Sequence, residues 1–207
     1  MAAPQQEPSG QELSIPVVLV HGIKDDGRKM RRLAAYLEGL GRATHCCDLL
    51  PNRGEVGLER LAEQLAAYIE KEVLAGQPAA RQVDLVAFSM GGLVSRYYLQ
   101  RLGGLKRTRR FITLATPHGG TWLAYLTNRP GCLQMRPSSP FLRDLDRDAE
   151  TLREVGFTSI WSPLDLVILP ATNSVVPHAR CEKVWCLAHP LLVSDAASFR
   201  KVAQALK

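Results

Sequence analysis

The chain has 207 residues, enough for one sizeable domain with a real core. Apolar residues make up 46% and charged residues 22%, a globular balance that excludes a disordered or fibrous chain. The net charge of +6 admits an anionic partner, but the basic residues are scattered. The densest cluster, "GLKRTRRF" (104–111), leads into a strand and has no interleaved aromatics, so it reads as a solvated loop and not as a nucleic-acid groove.

Residues 1–14 lack the basic start and apolar stretch of a secretory signal and read as a flexible N-terminal tail. No apolar run is long enough to span a bilayer. The five cysteines are odd in number and include no C-x-x-C pair. They read as reduced thiols in a cytoplasmic chain, with neither a disulfide frame nor a metal site.

The elements then alternate. "IPVVLV" (15–20) is a continuous β-branched run, as a buried parallel strand requires. Residues 29–40 follow as a helix, and "ATHCCDLL" (43–50) as a strand closed by Pro51. Leu58, Leu61, Leu65, Tyr68, Ile69 and Val73 keep three- or four-residue spacing, one face of a long helix. "QVDLVAF" (82–88) predicts a strand, 90–102 a helix and "RFITLA" (110–115) another strand. Within 138–152 a serine cap and Pro140 open a further helix, with Phe141, Leu142, Leu145, Ala149 and Leu152 on an apolar stripe. Strands at 158–162 and 182–188 and a helix at 195–206 complete the chain. This cadence predicts an α/β fold: a three-layer α/β/α sandwich around a mostly parallel sheet. Ligands bind such sheets beyond the carboxyl ends of the strands.

Ser89 stands at such an end, in Ala87-Phe88-Ser89-Met90-Gly91. A serine on a tight strand-to-helix turn is lifted out of the sheet, and small neighbours let the chain pass close to itself. That is the nucleophile elbow G-x-S-x-G with alanine for the first glycine. The alternative is a serine that merely caps the helix. The His21-Gly22-Ile23 turn after the first strand supplies a second clue: the Ile23 and Met90 backbone N–H groups would form an oxyanion hole. His21 itself reads as a structural hydrogen-bonder.

A serine hydroxyl needs a base. Among five histidines, His45 sits within a strand, His178 reads as surface, and His118 follows a strand end. His189, after the last strand, is the preferred base, with His118 the rival. The orienting acid falls between nucleophile and base. Asp165 sits between Leu164 and Leu166, where a carboxylate is costly unless paired. Asp144, Asp146 and Asp148 read as one solvated helix face, and Asp195 as the cap of the last helix. A turn cap is the competing role for Asp165.

Together "VVLVHGI", "AFSMGGLVSRYYL", "TLATPHGGT", "SIWSPLDLVI" and "CLAHPLLVSD" resemble the lipase and esterase branch of the α/β-hydrolase family, in particular compact bacterial triacylglycerol lipases of the bacillus lipase A type. The resemblance runs from about residue 15 to the C-terminus and is weakest in 122–157. It implies a minimal α/β-hydrolase domain over 15–207, with Ser89 as nucleophile, Asp165 as acid, His189 as base, and Ile23 and Met90 as oxyanion donors. It implies no cofactor and no metal. The activity it implies is cleavage of carboxylic esters, with acyltransfer, thioester cleavage or an inactive binding protein as alternatives. The implied partners are a small-molecule ester or lipid and a transient lipid interface, with no nucleic acid, for a chain acting as a monomer. Two departures stand out. Phe88 replaces the usual histidine before the nucleophile, and 122–157 is longer than in the minimal lipases, a helical insertion that reads as core, with a lid or acyl-binding flap as the alternative.

Overall fold

The structure, a computed structural model, describes residues 15–76 and 80–207. The proposed tail, 1–14, lies outside the described residues.

Six strands form one sheet: β1 Val17–Val20, β2 Thr44–Cys47, β3 Val83–Phe88, β4 Thr108–Leu114, β5 Gly156–Trp161 and β6 Arg180–Lys183. Their order is β2-β1-β3-β4-β5-β6, and every pairing is parallel. All strand exits therefore open on one edge. The neighbouring inner strands β1 and β3 are buried along their whole length, which is why, Asp84 apart, their sequences run apolar without alternation.

Helices cover both faces: α1 Arg31–Glu38, α2 Leu58–Tyr68, α3 Met90–Arg101, α4 Pro130–Gln134, α5 Pro140–Asp146 and α6 Ala196–Ala205. α2 runs on as a π-helical stretch, Ile69–Leu74. One core layer joins α2, α3 and α5 to the sheet through Leu61, Leu65, Leu93 and Leu145. The other joins α1 and α6 through Leu33, Leu37, Phe199 and Val202. This is the three-layer arrangement expected from the alternating pattern.

Three elements differ from the sequence reading, the first only in that the strand read over 43–50 closes at Cys47. The helix read over 138–152 ends at Asp146, and a short 3-10 stretch, Ala149–Glu154, follows. The cause is competition for one carbonyl. Leu145 O accepts Arg96 Nη2 at 3.0 Å and Gln100 Nε2 at 2.7 Å, so it no longer waits for the Ala149 N–H that a continuing helix would offer. The aspartates keep the solvent exposure read from the sequence, with side chains 58%, 43% and 38% exposed at Asp146, Asp144 and Asp148, but each is also paired. Asp146 pairs with the buried Arg96, while Asp144 and Asp148 grip Arg101 of α3. The last strand also stops at Lys183, not 188. Among the described residues its one neighbour, β5, ends at Trp161, whose carbonyl takes the Val184 N–H at 2.9 Å, and beyond that point there is no described strand for it to pair with.

The apolar stripe of 138–152 is buried: Leu145 and Leu152 are fully covered, Leu142 nearly so, and Tyr97 stacks on Phe141. Exposure of large apolar side chains falls in the earlier part of the insertion, at Trp122, Tyr125, Leu126 and Leu133. Leu145→Ala should accordingly lower unfolding stability by about 2–5 kcal/mol. Leu126→Ala, at a side chain that is 81% exposed, should change it by no more than about 0.5 kcal/mol. Urea melts of the two variants check this. Equal, small effects would mean that α5 is a loosely held flap.

Candidate active site

The elbow is built from strain held by packing. Ser89 has φ 52° and ψ −123°, a left-handed value that costs a residue with a Cβ on the order of 1–3 kcal/mol. Its N–H donates to Leu114 O of β4 at 2.9 Å, and its carbonyl takes the Gly92 N–H at 3.0 Å. Gly91 and Gly92 are required by contact. A Cβ on Gly91 would run into the His21 carbonyl, and one on Gly92 into the Thr116 side chain. Gly22, at the exit of β1, approaches the elbow in the same way, with Ser89 Cβ 3.1 Å from where its own Cβ would lie.

The hydroxyl of Ser89 makes no capping bond to α3. That sets it apart from Ser139, whose hydroxyl takes the Leu142 N–H of α5, and from Asp195, which takes the Ser198 N–H of α6. Instead, Ser89 Oγ lies 2.9 Å from His189 Nε2. His189 Nδ1 lies 2.7 Å from Asp165 Oδ2. A carboxylate only accepts, so Nδ1 carries the proton, and Nε2 is the acceptor for the serine hydroxyl. All three side chains are buried.

Each partner is placed by its own loop. Asp165 lies in the turn that leaves β5. Its Oδ1 accepts the Val167 and Ile168 N–H groups at 2.8 and 3.0 Å, so the turn cap and the bond to His189 use different oxygens of one carboxylate. His189 lies in a 3-10 turn, His189–Leu191, that follows the irregular run beyond β6. Ser162 laces these two loops together. Its hydroxyl donates to Cys186 O at 2.8 Å and accepts the Cys186 N–H at 3.3 Å. Sequence reasoning missed Ser162; the only signal is a serine between the end of a strand and a proline. Phe88 backs the imidazole, with ring centroids 4.8 Å apart. The departure from the usual histidine thus puts an apolar ring behind His189.

The other histidines stand elsewhere. His21 Nε2 accepts the Leu49 N–H at 3.0 Å, and its Nδ1 donates to Gly22 O at 2.8 Å, which shapes the turn before Ile23. His178 is half-buried beside Arg153, and His45 is half-buried in β2. His118 is buried behind the site. Thr113 Oγ1 donates to Ser159 Oγ, so it accepts from His118 Nε2 at 3.1 Å. This leaves His118 Nδ1 a buried acceptor without a partner among the described residues.

Ile23 sits at the exit of β1, and among the described residues its N–H has no acceptor. Met90 opens α3, where the first-turn N–H groups have no partner within the helix. A cleft of about 530 Å³ opens beside Ser89 and Ile23, walled chiefly by Leu123, Leu126, Met135, Val167 and Ile168. Among the described residues no group of three or more His, Cys, Asp or Glu side chains is arranged to hold a metal ion, and no helix is long and apolar enough to cross a membrane.

A parallel sheet between two helical layers, with a serine elbow at the exit of its central strand, defines an α/β-hydrolase. Within that class the chain belongs to the palmitoyl protein thioesterase family, whose model matches residues 16–161. That span includes Ser89, Ile23 and Met90 but stops short of Asp165 and His189. The chain is 31% identical over 107 residues to the lysosomal thioesterase PPT2 of Mus musculus, covering 52% of this chain and 35% of that protein. It is 33% identical over 116 residues to a triacylglycerol lipase of Burkholderia plantarii, covering 53% of this chain and 31% of the relative. The matched stretch thus spans about a third of these curated relatives. The fold resembles the mature form of the Bacillus licheniformis lipase BlEst2 with a TM-score of 0.80 at 18% identity, over 99% of this chain and 96% of that one.

Burial, and secondarily the charge of Arg96, holds the His118 imidazole well below the usual histidine range. An unfolded histidine takes a proton below about pH 6.5, whereas the folded one stays neutral. The unfolded state therefore binds more protons, and stability present above that pH is lost as the pH falls, by up to about 1.4 kcal/mol per pH unit from this group. Comparing urea midpoints at neutral and mildly acid pH, His118→Gln should show the shallower loss. Identical losses would mean that His118 protonates within the fold.

Proposed function

We propose that this protein is a serine hydrolase that cleaves carboxylic esters through an acyl-enzyme on Ser89. The observation that carries the reading is the continuous line of hydrogen bonds from Asp165 Oδ2 through the His189 ring to Ser89 Oγ. His189 Nε2 takes the hydroxyl proton as Ser89 Oγ attacks the ester carbonyl. The oxyanion rests against the Ile23 and Met90 N–H groups. The tetrahedral intermediate collapses, and His189 returns the proton to the leaving alcohol. A water that gives its proton to the same nitrogen then attacks the acyl group and frees the acid. Asp165 keeps the imidazole in the required tautomer and balances the charge that it gains.

A second reading, thioester cleavage, is supported by the family to which the chain belongs and by relatives named thioesterases. Only the leaving group changes. A thiol is more acidic than an alcohol, so the second proton transfer from His189 matters less. We further propose that residues 15–207 act as one domain, as a monomer that touches lipid transiently. The unpaired state of all five cysteines supports a cytoplasmic setting; the relatives called lysosomal are similar over only half of this chain.

Matched oxygen esters and thioesters of increasing acyl length test the reading. Ser89→Ala should lower kcat by about 10⁶-fold, and Asp165→Asn by about 10⁴-fold, with melting curves close to that of the parent protein. Turnover that survives Ser89→Ala would overturn the mechanism. A phosphonate probe should label Ser89, as read by peptide mass spectrometry.

A further inference from the structure

The cleft beside Ser89 is not uniform. Most of its wall is apolar, but three cations also line it: Lys24, Arg53 and Arg129. They come from three separate loops, and those loops are tied to one another. The Lys24 N–H donates to Asn52 O at 2.8 Å, Arg129 Nη1 donates to Arg53 O at 2.9 Å, and the Gly131 N–H donates to Gly54 O at 3.1 Å. Two of these are backbone bonds that hold the loops together whatever the charges do, and the third is made by the Arg129 guanidinium itself.

The acids nearby do not cancel them. Arg129 reaches Glu55 at 3.6 Å, and the other Glu55 oxygen takes the Arg53 N–H at 2.7 Å. Among the described residues neither the Lys24 ammonium nor the Arg53 guanidinium has a carboxylate at ion-pairing distance. Arg136, by contrast, is consumed by structure: it lies over the Tyr125 ring and donates to Thr127 O and Asn128 Oδ1. The charges are felt inside the cleft. Burial raises the Cys132 thiol on the cleft wall, and Arg129, Lys24 and Arg136 pull it back, against Glu55.

Lys24 adds a backbone observation. Its φ is 63°, the left-handed region that glycine or asparagine adopts at lower cost. The chain nevertheless carries a long cation there, one residue beyond Ile23. Strain of this kind persists where the surrounding structure holds it, and it gathers at ligand-binding positions. Lys24, Arg53 and Arg129 are solvent-exposed at the cleft; a neutral ester would gain nothing from them, whereas an anionic head placed among them would be attracted, most strongly at low salt.

We propose that the cleft takes an amphiphilic ester or thioester with a negatively charged head group, phosphate or carboxylate, seated on Lys24, Arg53 and Arg129 while its aliphatic part lies along Leu123, Leu126 and Met135. This rests on the reading of Ser89 as nucleophile. It adds the substrate's charge, which that reading leaves open.

The test separates the two. With Ser89→Ala protein, binding of decyl phosphate, decanol and inorganic phosphate is measured by calorimetry below the micellar range. Decyl phosphate should bind at least about tenfold more tightly than decanol at low salt, and the advantage should shrink as salt is raised. Arg53→Glu should abolish the advantage. Lys24→Asn, which keeps a residue suited to the left-handed turn, should reduce it. Equal affinity for decanol and decyl phosphate would overturn the proposal, and so would an advantage unmoved by both variants. Inorganic phosphate binding as tightly as decyl phosphate would reduce the feature to a free-anion site and overturn the amphiphile. With the Ser89 enzyme itself, an ester with an anionic head should outpace its neutral isostere in kcat/KM, and Arg53→Glu should bring the two rates together. Hydrolysis that persists in Ser89→Ala would sink the nucleophile while leaving the binding result to stand or fall by itself.

Discussion

The bond between Asp165 Oδ2 and His189 Nδ1 is the constraint on which the rest of the site depends. A buried carboxylate is costly unless its lone pairs are taken up. Here two backbone N–H groups and one imidazole N–H satisfy it. The same bond turns the imidazole so that its bare nitrogen meets Ser89. Neither residue belongs to a regular element, so the precision comes from what ties their loops. Ser162 joins the exit of β5 to the run beyond β6, and Phe88 closes the space behind the ring. The site stands on cross-braced irregular chain at the rim of a rigid sheet.

The sheet supplies the geometry that makes this economical. In an all-parallel sheet, the residues that follow β1, β3, β5 and β6 all emerge on one edge. Ile23, Ser89, Asp165 and His189 are those residues, although 166 positions separate the first from the last. The left-handed backbone at Ser89 opposes folding, and the close approach of α3 to the ends of β1 and β4 offsets it. That approach exists because Gly91 and Gly92 leave room for the His21 carbonyl and Thr116.

The insertion divides into two halves with different roles. Its second half is fastened to α3 by Arg96, Gln100 and Arg101, and its apolar residues join the core. Its first half forms the outer wall of the cleft and leaves Trp122, Tyr125 and Leu126 exposed. Core and cleft wall overlap in the first half, where Ala124, Cys132 and Met135 line the cleft and also join the core. The turn between α4 and α5 marks the junction.

Much was legible in the chain before folding. Continuous β-branched runs declared buried parallel strands, helical spacing declared α1, α2, α3 and α6, and the small residues around Ser89 declared a crowded turn. These are local properties, fixed by sterics and by the period of each element. Four features were not legible. The end of α5 depended on side chains 45 and 49 residues away taking the Leu145 carbonyl. The end of β6 depended on where its neighbour stopped. The lacing of the Asp165 and His189 loops by Ser162, and the gathering of Lys24, Arg53 and Arg129 on one cleft, depended on loops distant in sequence. Local sequence decides which conformation a segment prefers. Which hydrogen-bond partner it meets is set by the path of the whole chain, and only the tertiary structure holds that information.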